Sequence, residues 1–231
     1  MDFSMIKQRA KNALHSRYWP LVGLVLLASV LGATSGSFGF SFSFGSDSYK
    51  EIFSEEFLNA LKTFAVICAG AAVAYMLLVG NVVSVGLAKV GLSAYRGESF
   101  GILDLFHGFK NGRYGRNVGA MALSTLFVLL GLMAFIIPGI IIGLGLFPLP
   151  YLLAEDDEIS GMDAIRKAWS ISSGYKGNIF LFQLSFIGWI ILTALTFGAV
   201  GIFYANPYME VAFAGYYHEL TGSRFIEAQS Y

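Results

Sequence analysis

One carboxylate and three amides lie inside apolar runs of this sequence. Glu210 lies in NPYMEVAFAGYYHEL with Asn206 one helical turn before it, while Asn81 and Gln183 lie in separate runs. Glu210 is eight positions from His218, or about 12 Å along a helix, and the amides lie at comparable depth. Amides donate hydrogen bonds to a carboxylate or accept one from its protonated form. We therefore expect Glu210, Asn81, Gln183 and Asn206 to converge as a polar cluster. It would serve either as hydrogen bonding between helices or as a proton- or solute-coupling site.

The residues that usually hold metals or act as nucleophiles do not form a recognisable set. His15, His107 and His218 lack ligand spacing on a helix, and the single cysteine, Cys68, lies in AVICAGAAVAY as a small apolar residue. The acidic run 155–158 lacks the alternating spacing of a calcium loop. We interpret this run as a solvated helix start. No GxSxG, HExxH or GxxxxGK[ST] motif occurs. The sequence therefore predicts no enzyme, cofactor or metal.

Composition indicates the environment of these residues. The chain has 231 residues, of which 56% are hydrophobic and 13% are charged, and its mean hydropathy is +0.65. Soluble domains have about 25% charged and 45–50% apolar residues, so both departures point to a membrane. The formal net charge is zero, and such a chain has no basic footprint for nucleic acid.

Apolar runs of about 20 residues can cross about 30 Å of hydrocarbon. The first covers residues 19–34 and the second about 64–88. Residues 118–154 form a run too long for one helix, which we divide into two helices meeting near Pro138 because Pro-Gly is a turn signal. Residues 178–218 repeat this design, with a turn marked by Gly198 and Gly201. The sequence predicts an all-α polytopic membrane protein with about six spans, a first pair followed by two short-turn hairpins.

Basic residues predict the orientation of these spans, because Lys and Arg near span ends stay in the cytoplasm. With six spans, every Lys and Arg except Lys50 and Lys62 falls on one side, together with both termini. We therefore expect a single membrane domain over 1–231 with both termini in the cytoplasm.

A Phe, Gly and Ser segment at 35–57 would then form the extracytoplasmic loop. Within SGSFGFSFSFGSDS at 35–48, phenylalanine occupies every second position: Phe38, Phe40, Phe42 and Phe44. Period two places all four on one side of an extended chain. Three interpretations stay open: a loop without a role, a flap at the membrane interface, and a strand that binds a partner.

Three cytoplasmic segments have helical patterns. Residues 1–17 are basic and amphipathic, and they predict a helix lying on anionic lipid. Its apolar stripe consists of Phe3, Ile6, Ala10, Ala13 and Leu14. Residues 99–110 predict a short helix capped by Ser99, with Leu103, Phe106 and Phe109 on one face. Residues 155–177 predict a helix that starts at a capping box of Ser160 and Asp163.

Several motifs together resemble a known family. They are IPGI at 137–140, GYK at 174–176, LSFIGW at 184–189, NPYM at 206–209 and YYHEL at 216–220. With these motifs the chain resembles a bacterial integral membrane family catalogued as domain of unknown function nine-seven-five. The resemblance covers nearly all of the chain except the Phe segment, and it implies a helical fold in the bacterial cytoplasmic membrane. It implies no activity, so no catalytic residue is carried over.

Two functions fit these features. We expect a non-enzymatic accessory or structural component of the membrane, with the lipid bilayer and a larger membrane transporter or envelope protein as partners. The alternative is a small transporter or exporter of a small or lipid-like solute. This alternative is supported by Pro138 and Pro207 in corresponding late hairpins, since broken helices mark substrate sites in many carriers. The sequence leaves the oligomeric state open.

Overall fold

The computed structural model describes residues 2–32, 55–110 and 112–229, and every regular element in these ranges is a helix. The all-α prediction is confirmed for this part of the chain. Residues 35–54 of the predicted extracytoplasmic loop, including the four phenylalanines, lie outside the described residues.

The described residues of the first half of the chain contain five α-helices and two short helical segments of other types. In order they are α1 Phe3–Ser16, α2 Tyr18–Val30, α3 Glu55–Tyr75, a π-helical segment Met76–Gly80, α4 Asn81–Arg96, α5 Ile102–Leu105 and a 3-10 turn His107–Phe109. α3, the π segment and α4 follow one another without a break.

The second half begins with an apolar hairpin and ends with a long helix. Its elements are α6 Arg113–Ala134, α7 Ile136–Leu146, α8 Leu149–Glu155, α9 Gly161–Ser172, α10 Lys176–Leu184, α11 Ile187–Leu195, a second π segment Gly201–Ala205 and α12 Asn206–Gln229.

Several of these helices are long and apolar enough to cross a membrane. Among the described residues there are four: Glu55–Arg96, Arg113–Ala134, Ile136–Glu155 and Lys176–Leu195. A fifth results if α1 and α2, which are bent by 100° against each other, count as one span. α12 is not among them, and it carries Glu210, His218 and Glu219. Six spans stays a prediction.

The two predicted hairpin turns lie close to their expected positions. The first break is at Phe135, whose backbone is extended with φ −161°. Pro138 lies instead in the first turn of α7, where its missing N–H leaves no hydrogen bond of the helix unmade. The second turn is formed by Phe197 with φ 50° and Gly198 with φ 89°, as predicted for Gly198.

The N-terminal helix packs onto protein rather than offering its apolar stripe to lipid. Asp2 caps α1 by accepting a hydrogen bond from the Ser4 backbone N–H at 2.9 Å. Ile6 is buried, and the Phe3 ring contacts the Phe182 ring with centroids 5.3 Å apart. The predicted amphipathic helix is present, but the aromatic side chains of α10 and α12 cover its stripe.

The predicted helix over 99–110 is replaced by the single turn α5 and the 3-10 turn. The turn begins at Gly101, whose backbone N–H donates to Asp104 at 2.8 Å, and not at Ser99. Leu105 is fully buried, whereas Leu103 is 69% exposed. The cause is close packing on α4: a methyl group at Gly86 would lie 1.8 Å from the Leu105 carbonyl oxygen. The Leu105 backbone therefore packs directly against α4 at the end of α5.

The predicted helix after the acidic run is confirmed as α9. Ser160 accepts a hydrogen bond from the backbone N–H of Asp163 at 3.2 Å, and its hydroxyl donates to the Asp163 carboxylate at 2.7 Å. Ala168 and Ser172 of this helix are buried. The acidic run 155–158 does not itself start this helix, because Glu155 ends α8 and the other three residues form the link to α9.

Candidate functional site

α4 and α12 run parallel and in close contact at the level of Glu210. A methyl group at Gly91 would lie 3.3 Å from the Glu210 backbone oxygen and 3.2 Å from the Ala214 Cβ. One turn further along both helices, Gly215 faces the Tyr95 ring, which a methyl group there would approach to 2.3 Å. Small residues therefore bring the two backbones together, and they fix which residues lie side by side.

This register separates Asn81 from Glu210. Asn81 lies ten positions before Gly91 on α4, which is about 15 Å along the helix. Two side chains of their lengths do not span this distance. The Asn81 Nδ2 atom is buried and has no hydrogen-bond partner among the described residues. The expected hydrogen bond from Asn81 to the Glu210 carboxylate is therefore not formed.

The other two predicted members do not bond to Glu210 either. Gln183 is half-buried on α10, beside Phe182, whose ring stacks on Tyr216 with centroids 4.6 Å apart. Asn206 is half-buried at the first position of α12. In the described part of the chain, no hydrogen bond joins either amide to Glu210. The structure thus places the four residues in one bundle, but it does not bring them together as a hydrogen-bonded cluster.

A pair of stacked tyrosines lies between Glu210 and one end of the bundle. Tyr151 on α8 is close enough to Glu210 for the two groups to interact electrostatically. Its ring stacks on Tyr217 with centroids 5.0 Å apart, and the Tyr217 hydroxyl donates to Glu155 at 2.7 Å. Glu155 in turn forms an ion pair with Arg96. This line of side chains connects a carboxylate inside the bundle with an ion pair at its surface.

Sequence reasoning missed both tyrosines. Each lies on a helix with an unremarkable apolar pattern, and their contact depends on how α8 packs against α12. The only sequence signal was the polar tip of each ring, since buried tyrosine hydroxyls usually find a hydrogen-bond partner.

Arg116 on α6 donates hydrogen bonds to several backbone oxygens at the end of α8 and in the link to α9. Its guanidinium donates to the backbone oxygens of Leu153 at 3.2 Å, Asp156 at 3.1 Å, Asp157 at 2.8 Å and Ile159 at 3.1 Å. Carbonyls at the end of a helix have no partner within the helix. Arg116 therefore terminates α8 and holds the link to α9 in place.

Asn117, the next residue, extends this connection to the loop before α6. Its side-chain oxygen accepts from Arg116 at 3.1 Å, and its Nδ2 donates to the Gly108 carbonyl at 2.9 Å. Asp157 accepts from Arg113 at 2.8 Å and lies 3.3 Å from His107. The acidic link is thus paired with basic residues of α6 and of the 3-10 turn.

The N-terminal helix joins the same end through its own charges. Arg9 pairs with Glu219 of α12 at 3.1 Å, and the Tyr95 hydroxyl donates to the same carboxylate at 3.2 Å. Lys7 of the same helix instead reaches the middle of the Lys176–Leu195 segment, where it donates to the Ser185 carbonyl at 3.4 Å and lies 4.5 Å above the Phe186 ring. Charges from α1, α4, α6, α8 and α12 therefore meet at one end, which we call the charged end.

The described residues contain no group of three or more His, Cys, Asp or Glu side chains placed to hold a metal ion. The acidic residues at 155–157 accept from arginine, lysine and tyrosine side chains instead.

Comparison with known proteins gives one family match, which lies in the second half of the chain. Residues 117–224 match the family model described as protein of unknown function (DUF975). The resemblance is confirmed for the matched residues, and its expected extension over nearly all of the chain stays a prediction. The matched DUF975 segment contains IPGI, LSFIGW and YYHEL. It extends from Asn117 in α6 into α12, and includes Gln183, Asn206 and Glu210 but not Asn81. No curated protein and no solved structure matches the chain.

Proposed function

We propose that this chain is a multi-pass protein of the bacterial cytoplasmic membrane with a non-enzymatic accessory or structural role. In this proposal the charged end and both termini face the cytoplasm. The observation that carries it is the charged end itself. Basic residues of α1, α4 and α6 gather there, on the side where the positive-inside rule expects them.

The way these charges are used supports a structural role. The Arg116 guanidinium donates to backbone oxygens of this chain. Carboxylates of the same chain pair with Arg96, Arg113 and Lys167. Charges of a catalytic or binding site are ordinarily left open for a substrate. Here they fasten helices and links to one another, as expected of a rigid scaffold.

Transport of a small or lipid-like solute is the second candidate, and Glu210 favours it. An ionisable group inside a membrane bundle is costly to maintain and often marks a proton or solute pathway. Two π-helical segments add to this argument, since such segments are frequent at functional sites. They end at Gly80 and Ala205, directly before Asn81 and Asn206.

A pair of measurements separates the two functions. The purified protein is reconstituted into liposomes that enclose a pH-sensitive dye, and proton flux is compared with that of empty liposomes and of Glu210→Gln. In parallel, tagged protein is cross-linked in native membranes and purified. For an accessory role we expect flux equal to that of empty liposomes, together with a stoichiometric membrane partner. Flux that depends on the protein and is lost in Glu210→Gln would favour the carrier.

A further inference from the structure

An apolar groove lies beneath α9, away from Glu210 and its tyrosines. Its volume is about 690 Å³, within the range of about 300–1,000 Å³ that is typical of ligand pockets. It is lined by Phe127, Leu130 and Gly131 of α6, Ile142 and Leu146 of α7, and Ile165, Arg166 and Trp169 of α9. Arg166 is the charged member of this lining.

α9 forms the roof of the groove because both of its ends are attached to the α6–α7 hairpin. At its start, a methyl group on Gly161 would contact the Ala120 Cβ at 3.3 Å. At its end, the Ser172 hydroxyl donates to the Gly145 carbonyl at 2.5 Å. Trp169 lies directly on Gly145, where a methyl group would approach its ring to 2.4 Å.

Arg166 lines this groove, and a second cation, Lys176, contacts the Trp169 ring that lines it. The Arg166 side chain is 76% exposed, and its ion pair with Asp163 on the same helix is 3.7 Å long. The Lys176 Nζ lies 3.4 Å from the centroid of the Trp169 ring. A long, exposed pair of this kind contributes little, so the Arg166 guanidinium can exchange it for a phosphate, which it binds in a bidentate manner.

The floor of the groove continues into apolar surface on the hairpin. Leu130 is 53% exposed and Phe127 is 39% exposed, both on a helix long and apolar enough to cross a membrane. A lipid tail can therefore enter from the hydrocarbon side while its headgroup stays at the rim. Tryptophan and basic residues together are typical of the headgroup region of a membrane.

We propose that the groove beneath α9 binds an acyl chain of an anionic phospholipid, whose phosphate is held by Arg166 and Lys176. The proposal goes beyond the accessory role: it rests on the membrane location, and it applies equally to an accessory protein and to a carrier. Its ligand is a resident lipid with a preferred headgroup, in contrast to the non-selective lipid that surrounds any membrane protein.

Tryptophan fluorescence tests this directly, because the chain has three tryptophans. In the double variant Trp19→Phe/Trp189→Phe, Trp169 is the only remaining tryptophan. This variant is reconstituted in vesicles of ordinary phosphatidylcholine. In one series the vesicles contain rising fractions of phosphatidylglycerol brominated in its acyl chains, and in the other they contain rising fractions of phosphatidylcholine brominated in the same way. Bromine quenches a nearby indole. We expect the apparent affinity for the brominated phosphatidylglycerol to be about tenfold higher. Both headgroups carry a phosphate, but phosphatidylcholine adds a choline cation, which Arg166 and Lys176 repel.

Matched variants assign the preference to the groove. Arg166→Gln should abolish it, whereas Lys167→Gln should keep it, because Lys167 pairs with Asp156 at 3.6 Å and does not line the groove. Leu130→Phe should weaken quenching by filling the floor. Leu129→Phe, on an adjacent residue that is 52% exposed, should not.

Three outcomes would overturn the proposal. Equal quenching by both lipids in the parent protein would show surrounding lipid only. An unchanged preference in Arg166→Gln would place the selectivity elsewhere. Absence of quenching by either lipid would mean that a protein segment or partner, and not an acyl chain, fills the groove. Flux and partner capture do not enter this test, so it can fail while the proposed function stands.

Discussion

Replacement of Arg116 by lysine tests the charged end in the most quantitative way. The change keeps the positive charge but replaces a planar group with five donors by a single ammonium with three. Arg116 now serves four backbone oxygens and the Asn117 side chain, so at least two acceptors lose their donor. At about 1 kcal/mol each, we expect Arg116→Lys to lower the free energy of unfolding by about 2 kcal/mol.

The assay is thermal unfolding of the detergent-purified protein, in which the fraction that stays monodisperse is measured as the temperature rises. By the scaling for chains of 150–250 residues, about 2 kcal/mol corresponds to a Tm lower by roughly 4–8 °C. Arg166→Lys is the matched control, because Arg166 is exposed and has one long ion pair. It should change the free energy of unfolding by less than about 0.5 kcal/mol. Equal Tm values for the two variants would refute the role assigned to Arg116.

Three further predictions concern packing, Glu210 and the Phe segment. Gly86→Ala should destabilise the fold by about 2–3 kcal/mol, because its methyl group would lie 1.8 Å from the Leu105 oxygen. Gly119→Ala, in open space, should be neutral or stabilising by up to about 1 kcal/mol, and the opposite order of Tm values would contradict the packing described for α5. For an accessory role, Glu210→Gln should keep both folding and partner capture, and loss of capture in a folded variant would count against it. Changing the four phenylalanines of 35–48 together to serine should leave expression and monodispersity intact, and an aggregated product would show that the segment is needed for folding.

The helices could be predicted from the sequence because membrane spans are governed by length and hydropathy. The hairpins over 118–154 and 178–218 appear near their expected places, and α9 begins at the predicted Ser160 cap. These features depend on local sequence, where a cap or a turn residue acts within a few positions. The break at Phe135 instead of Pro138 reflects the tolerance of a helix for proline in its first turn.

The candidate cluster was only partly predictable, because depth along a helix does not determine its partner. The sequence predicts similar depths for Asn81 and Glu210, yet the contact of Gly91 with the Glu210 backbone sets them about 15 Å apart. The connection through Tyr151 and Tyr217 depends on the packing of α8 against α12. In the same way, the stripe of α1 predicted an apolar partner without indicating whether that partner is lipid or protein.

Topology is the most direct test of the account, because both the proposed role and the assigned orientation depend on it. In a Cys68→Ala background, single cysteines are introduced as Ser46→Cys and Glu158→Cys, the second at an exposed position between α8 and α9. Intact cells are treated with a membrane-impermeant maleimide before and after permeabilisation. We predict that position 46 is labelled in intact cells and that position 158 is labelled only after permeabilisation. Labelling of position 158 in intact cells, with position 46 protected, would place the charged end outside and contradict the account.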